Sequence, residues 1–344
     1  MEPSDIGQCI GLLTNHPGIR SRFGDLIEVL PEAWLSLLES NFGLATVFFA
    51  DETAGAPICI AGITAVVRDD FLIEMKTPPH FWIGPEIARR IIDGRSPVLT
   101  AREFRDGNSR GGLNLVCLEN CVHPGYLAAG ELLRYVMSVF LQIHRGYLWK
   151  EVIANQPESL DRLGMLMNTG ALIWDPVTSS YSQTLREDPG AVVRTPHIFG
   201  NTRELEQNRQ RDWAGSWVGA LFDYHAPILG FNRSEQRQLS CALSGATDED
   251  LAATLGTSLS TIKKTWVSIY GRAGEHLPLV ASTLEWLEVT SAGRGRDRRR
   301  HLLFYLREHP EELCPYSRKL LSQAAEVRAL GSPSNSLWRR TSGG

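Results

Sequence analysis

The residues whose types and spacing most clearly suggest chemistry lie at Ser258, Ser260, Thr261, Lys263, Lys264, Val267, Ser268 and Arg272. On a helix, Lys263, Lys264, Val267 and Ser268 share one side with Leu259 and Gly271. Ile262, Trp266, Ile269 and Ala273 form the opposite, apolar stripe. The outer side is basic and holds no acid, so it suits a polyanion. The lysine ammonium groups can reach the acceptors of guanine, and the hydroxyls near the helix start are placed for phosphate. A second basic cluster, Arg294, Arg296, Arg298, Arg299 and Arg300, reads equally as a phosphate grip or as a solvated charge run.

Two other groupings are weaker. Cys117, Cys121 and His123 could bring two thiolates and an imidazole together, but a strand would place Cys117 in the core and a fourth ligand is not evident, so no metal site is expected. Trp213, Trp217 and Tyr224 could line a ligand pocket, face a partner helix or simply pack. No phosphate-binding loop, nucleophile elbow or zinc-protease pair is present, and no catalytic residue or cofactor is assigned.

The basic face needs helices to position it, and their signals are local. Asn232 is placed to cap a helix that ends at Gly245. Thr247 is placed to cap a second, with Asp248, Glu249 and Asp250 in its first turn and Gly256 as its stop. Ser258 is placed to cap the third. A short turn between the second and third is the arrangement that presents a helix to the major groove.

Over FNRSEQRQLSCALSGATDEDLAATLGTSLSTIKKTWVSIYGRAG the chain resembles the LuxR-type helix-turn-helix domain. Glu235, Leu239, Gly245, Leu251, Ala252, Leu255, Gly256, Ser258, Thr261, Ile262 and Lys263 stand at the family's pattern positions, and Ile269 and Tyr270 also fit. Thr265, Trp266 and Ala273 depart from it at packing positions. The resemblance implies a sequence-specific transcription regulator whose partner is double-stranded DNA.

Upstream the pattern is α/β. A helix is expected from Pro31, followed by neighbouring strands at 44–50 and 57–67, a helix at 85–93, a strand at 113–118, a long helix at 127–144, a strand at 148–154, a helix near 160–168 and a strand at 171–174. From Leu113 to Trp174 this order resembles the acyl-CoA-binding half of GNAT acetyltransferases. The aligned turn is Gly125, Tyr126, Leu127, Ala128, Ala129 and Gly130, in which the last glycine survives but the basic or amide residue and the middle glycine do not. Leu166 stands near the general-acid tyrosine, while Asn155 and Gly170 fit. The resemblance implies a GNAT-like mixed sheet with flanking helices, kept as a non-catalytic sensor or dimerisation module. The alternative is a bifunctional acyl-CoA-dependent acyltransferase.

The expected architecture is therefore an α/β domain at 1–185, an aperiodic linker and connecting helix at 186–228, an all-α DNA-binding domain at 229–276 and a helical extension at 277–330. Charge divides accordingly: residues 1–200 hold 16 Lys and Arg against 23 Asp and Glu, whereas residues 201–344 hold 19 against 16. A net of -4 excludes a basic nucleic-acid coat, and the basic surplus assigns a polyanion to the second part. Six scattered cysteines, no signal-peptide pattern and no long apolar run point to a cytoplasmic protein. A homodimer is expected because one reading helix discriminates poorly over a genome. Candidate contacts are Trp213 and Trp217 and the leucines Leu302, Leu303, Leu306, Leu313, Leu320 and Leu321, which could equally close the DNA-binding domain's own core. A small-molecule or protein effector is expected at the N-terminal domain.

Overall fold

The computed structural model describes residues 1–15, 18–40, 43–49, 56–78, 82–126, 130–156, 172–182, 197–211, 218–280 and 295–317. Three helices open the chain: α1 (Ile6–Thr14), α2 (Ile19–Phe23) and α3 (Leu26–Glu39). Pro31 does not start α3 but lies inside it. Its missing N–H costs one backbone hydrogen bond. Burial of Leu30, Ala33, Trp34 and Leu37 on that helix outweighs the loss.

Strands β1 (Gly43–Phe49) and β2 (Ile58–Val67) pair antiparallel. After α4 (Asp69–Lys76), α5 (Ile83–Ile92) and α6 (Ala101–Asp106) come β3 (Leu113–Val122), α7 (Gly130–His144), β4 (Trp149–Gln156), β5 (Leu172–Asp175), β6 (Ser180–Ser182) and β7 (His197–Thr202). They form one mixed sheet in the order β1-β2-β3-β4-β7-β5-β6. Strands β3 and β4 are parallel, as a helical crossover requires. The alternation of β2 divides the interior. Ile63, Ala65 and Val67 pack with Leu13, Trp34, Phe71 and Met75, while Val66 packs with Leu115, Trp149 and Val152 on the other face. Lys76 pairs with Glu151 and lies 4.3 Å from the Trp174 ring centroid, which ties α4 to the β5–β6 hairpin.

Two details depart from the sequence reading. Strand β7 falls within the stretch read as linker, yet it sits between β4 and β5. Its Gly200 lies so close to β4 that a Cβ would come within 2.2 Å of the Val152 carbonyl. In β3 the register slips between the partners of Ile63 and Thr64, leaving Leu118 as an extra residue. Cys121 consequently joins the core beneath α1 to α5, while Cys117 packs on the opposite cluster. The bulge thus parts the two thiols that spacing alone would have put on one face.

Beyond Thr202 the described residues contain helices and no strand: α8 (Arg203–Arg211), α9 (Gly219–Phe222), α10 (Arg233–Ala242), α11 (Asp248–Leu255), α12 (Leu259–Val280) and α13 (Gly295–Glu308). Leu302 and Leu306 of α13 are buried with Leu239, Leu251, Ile262, Trp266 and Ile269, and Leu303 and Leu313 pack against them. These leucines therefore complete a core and are not available as the expected dimer face; Leu320 and Leu321 lie outside the described residues. Within the stretch expected as a helical extension, Pro310–Leu313 forms a 3-10 turn that runs into an extended strap to Ser317, and the residues beyond lie outside the described ones.

That strap joins the two parts of the chain. On the helical side, the Glu312 carboxylate accepts from the amides of Ile228 and Leu229 at 2.8 and 3.0 Å, and Gln236 Nε2 donates to the Glu312 and Cys314 carbonyls. On the sheet side, Asn108 Nδ2 donates to the Pro315 carbonyl at 2.8 Å, and the Ser317 amide donates to Ser109 Oγ. Gly146, at φ +85°, lies so near Pro310 that a Cβ would be 2.6 Å from its carbonyl carbon. No helix among the described residues is long and apolar enough to cross a membrane.

Candidate nucleic-acid interface

Each helix of the candidate interface begins at a side-chain cap. Asn232 accepts from the Glu235 amide at 3.0 Å while Glu235 accepts from the Asn232 amide, and Thr247 and Asp250 make the same reciprocal pair on α11. Gly256 closes α11 at φ +62°, and Ser258 Oγ then accepts from the Thr261 amide at 3.2 Å. The hydroxyls of Ser260 and Thr261 lie within 2.9 and 2.8 Å of Ser258 Oγ, in the exposed first turn of α12.

Along α12 the helical period sorts the side chains. Ile262, Trp266 and Ile269 are buried; Lys263, Lys264, Val267, Ser268 and Gly271 are exposed, and Val267 retains 72% of its surface. An apolar residue this open beside two lysines gives the face a methyl surface as well as charge.

Buried polar contacts fix the inner side. Glu235, 1% exposed, accepts from Ser268 Oγ at 2.7 Å and pairs with Arg272 Nε at 3.0 Å. Burial alone would raise its pKa. The Asn232 amide, Ser268 and Arg272 together overcome that and hold its carboxyl below the usual carboxylate range. Gln238 Nε2 reaches the Ile262 carbonyl at 3.3 Å, and Trp266 Nε1 donates to Asp248 at 3.1 Å. Arg299 of α13 pairs with the same Asp248 at 2.9 Å, donates to the Ala246 carbonyl and stacks 4.6 Å from the Trp266 ring centroid.

The chain matches no protein-family model, and no curated protein matches it.

The structure brings Ser258, Ser260, Thr261, Lys263, Lys264 and Val267 together on one end and face of α12. Ser268 and Arg272 were grouped with them in the sequence, but both hydrogen-bond to Glu235 and hold α12 against α10. The arginine run divides in the same way. Arg299 is engaged inward and Arg300 is exposed; Arg294 and the side chain of Arg296 lie outside the described residues. The Glu235 and Asp248 clamps were missed because their partners are 18 to 51 residues away in the chain, although Glu235 itself stands at a position of the resemblance's pattern.

Tyr224 donates to the Asn108 carbonyl at 3.2 Å and lies against the Arg203 guanidinium; Trp213 and Trp217 lie outside the described residues. Burial pushes the Cys117 thiol up to about 12, and among the described residues no cluster of His, Cys, Asp or Glu is placed to hold a metal ion. In the aligned acyl-CoA turn, the Gly125 amide donates to His123 Nδ1, and Gly130 opens α7. Leu127, Ala128, Ala129, Leu166 and Gly170 lie outside the described residues, as does the side chain of Tyr126. Asn155 Oδ1 accepts from the Ile83 amide at 2.6 Å and so anchors the start of α5.

Proposed function

We propose that α10, α11 and α12 form a helix-turn-helix unit of the LuxR type that reads duplex DNA, and that the protein is a transcription regulator. The observation that carries this is the first half of α12. Lys263, Lys264 and Val267 stand exposed together on a helix that partly buried hydrogen bonds of Trp266 and Ser268 hold to its neighbours. In this reading Lys263 and Lys264 reach guanine acceptors, and Val267 offers an apolar contact to a thymine methyl. The hydroxyls of Ser258, Ser260 and Thr261, with the helix start itself, face phosphate. Ser268 and Arg272 position the helix, and Arg300 adds a backbone contact.

The α/β part serves as sensor, joined to the reading unit by the strap at Pro310–Ser317. Its parallel β3 and β4 joined by α7 have the order of a GNAT-like fold, so an acyltransferase is the second reading. Titration with acetyl-CoA separates the two: saturable binding and turnover would move the assignment to the enzyme, and the regulator predicts no turnover.

Footprinting of the full chain on fragmented genomic DNA tests the main proposal. Discrete protected sites support it, and uniform or absent protection rejects it. The working form is proposed to be a homodimer, since two joined units multiply their discrimination. Sedimentation at micromolar concentration should show twice the chain mass, and footprints should contain paired half-sites.

A further inference from the structure

Between the sheet and α7 lies a cavity of about 220 Å³. Its roof is Val136, Val139, Phe140 and Ile143 of α7, and its floor runs across β2, β3 and β4. Gly62 lines it from the middle of β2, opposite Thr46 on one side and Asn120 on the other. A Cβ built on Gly62 meets no atom within 4 Å, and its backbone is in a conformation open to any residue. The space therefore begins where the strand lacks a side chain. A glycine inside a strand costs stability, because it packs nothing and loses the most backbone freedom on folding. A core selected only for packing would carry a branched residue there.

The walls define what could enter. Among the described residues none that lines it is Lys or Arg, and the acid there, Glu119, is paired with Arg22 at 3.0 Å. His144 holds both ring nitrogens in hydrogen bonds, Nε2 with Thr64 Oγ1 at 3.0 Å and Nδ1 with the Phe140 carbonyl at 2.7 Å. The carbonyl can only accept, so Nδ1 carries the proton and Nε2 accepts from Thr64. Burial pushes its pKa down to about 4, leaving the ring uncharged at neutral pH. With no cation to meet an acid or a phosphate, an anionic occupant would be left without a counter-charge.

We propose that the cavity between β2 to β4 and α7 is a binding site for a small, neutral, predominantly apolar molecule. Size narrows the class. An apolar cavity of about 150 Å³ accepts benzene, so in proportion this one takes about nine non-hydrogen atoms, the size of indole or an eight-carbon alcohol. The occupant would bear on α7, whose end is in contact with the strap. Cys314 Sγ lies 3.9 Å from the Arg145 carbonyl, and Gly146 abuts Pro310. Coupling to DNA rests on the regulator reading; binding in the cavity does not.

The test is calorimetric titration of the full chain with indole and 1-octanol, with octanoate as the charged control, for the wild type and Gly62→Leu. Saturable binding of a neutral probe at one site is expected in the wild type, at least tenfold weaker binding of octanoate, and a loss of at least tenfold in Gly62→Leu alongside a raised melting temperature. Val139→Phe fills the space from the roof and should lose binding in the same way if Gly62→Leu fails to fold. Absence of binding by either neutral probe, with Gly62→Leu merely more stable, would make the cavity a packing defect and overturn the proposal. Equal binding in the filled variants would place the site elsewhere and also overturn it. A probe that binds but leaves DNA affinity unchanged would reject the coupling alone.

Discussion

In the α/β part, Gly62 and α7 leave an apolar space in the interior, and burial keeps the His144 ring on its wall uncharged at neutral pH. In the helical part the interior is filled by side chains and bordered by paired charges, Glu235 with Arg272 and Asp248 with Arg299, while Lys263 and Lys264 face outward. On the proposed function the contrast separates two ways of building a site. A receiving site needs space and a wall that repels charge; a reading site needs a rigid backing so that the exposed side chains keep their spacing.

Removing the backing should have the largest effect. Glu235→Ala leaves Arg272 and Ser268 without their acceptor and removes half of the α10 capping box. A loss of about 3 kcal/mol is expected in urea denaturation, typical of breaking a buried charged pair from one side. A loss below about 1 kcal/mol would show that the clamp is not what fixes α12.

The cavity wall should respond to acid. Because folding lowers the His144 pKa from 6.5 to about 4, protonation favours the unfolded chain. Its contribution is intact above about pH 6.5 and is lost as pH falls towards about 4, a swing on the order of 3 kcal/mol. His144→Gln should remove that swing, so the stability gap between wild type and variant should narrow with acidification. A gap independent of pH would contradict the neutral, buried assignment.

The arginine run offers a finer test, between two neighbouring residues. Arg299→Ala should destabilise the helical part by about 1 to 2 kcal/mol, through the lost Asp248 pair and Trp266 stacking. Arg300→Ala should leave stability unchanged, weaken binding to all duplexes alike and lower the salt slope by about 1. Similar behaviour of the two variants would erase the distinction between backing and contact.

Much of this was legible where the signal is local. Asn232, Thr247 and Ser258 with Gly245 and Gly256 mark three helices because caps act over three or four residues. The spacing of Ile262, Trp266 and Ile269 likewise shows which side of α12 is buried. What was not legible depends on distant partners. Strand β7 hides behind Gly200 and Asn201, residues that only the close approach of β4 explains. The Leu118 bulge has no signature of its own, yet it decides that Cys117 and Cys121 never meet. Ser268 and Arg272 follow the exposed lysines in sequence, and only their contact with Glu235 shows that they hold α12 against α10. The cavity was not foreseen either, since Gly62 inside a β-branched run reads simply as a weak point in a strand.

The central claim is that the exposed face of α12 reads base sequence. It is tested most directly by the anisotropy of full-length protein on a footprinted duplex and on a scrambled duplex, at two salt concentrations, for the wild type, Lys263→Ala and Lys264→Ala. Each substitution is expected to cost about 1 to 3 kcal/mol on the footprinted site and to flatten its advantage over the scrambled duplex, with folding intact. Unchanged preference for the footprinted site in both variants would contradict the assignment of α12 as the reading helix.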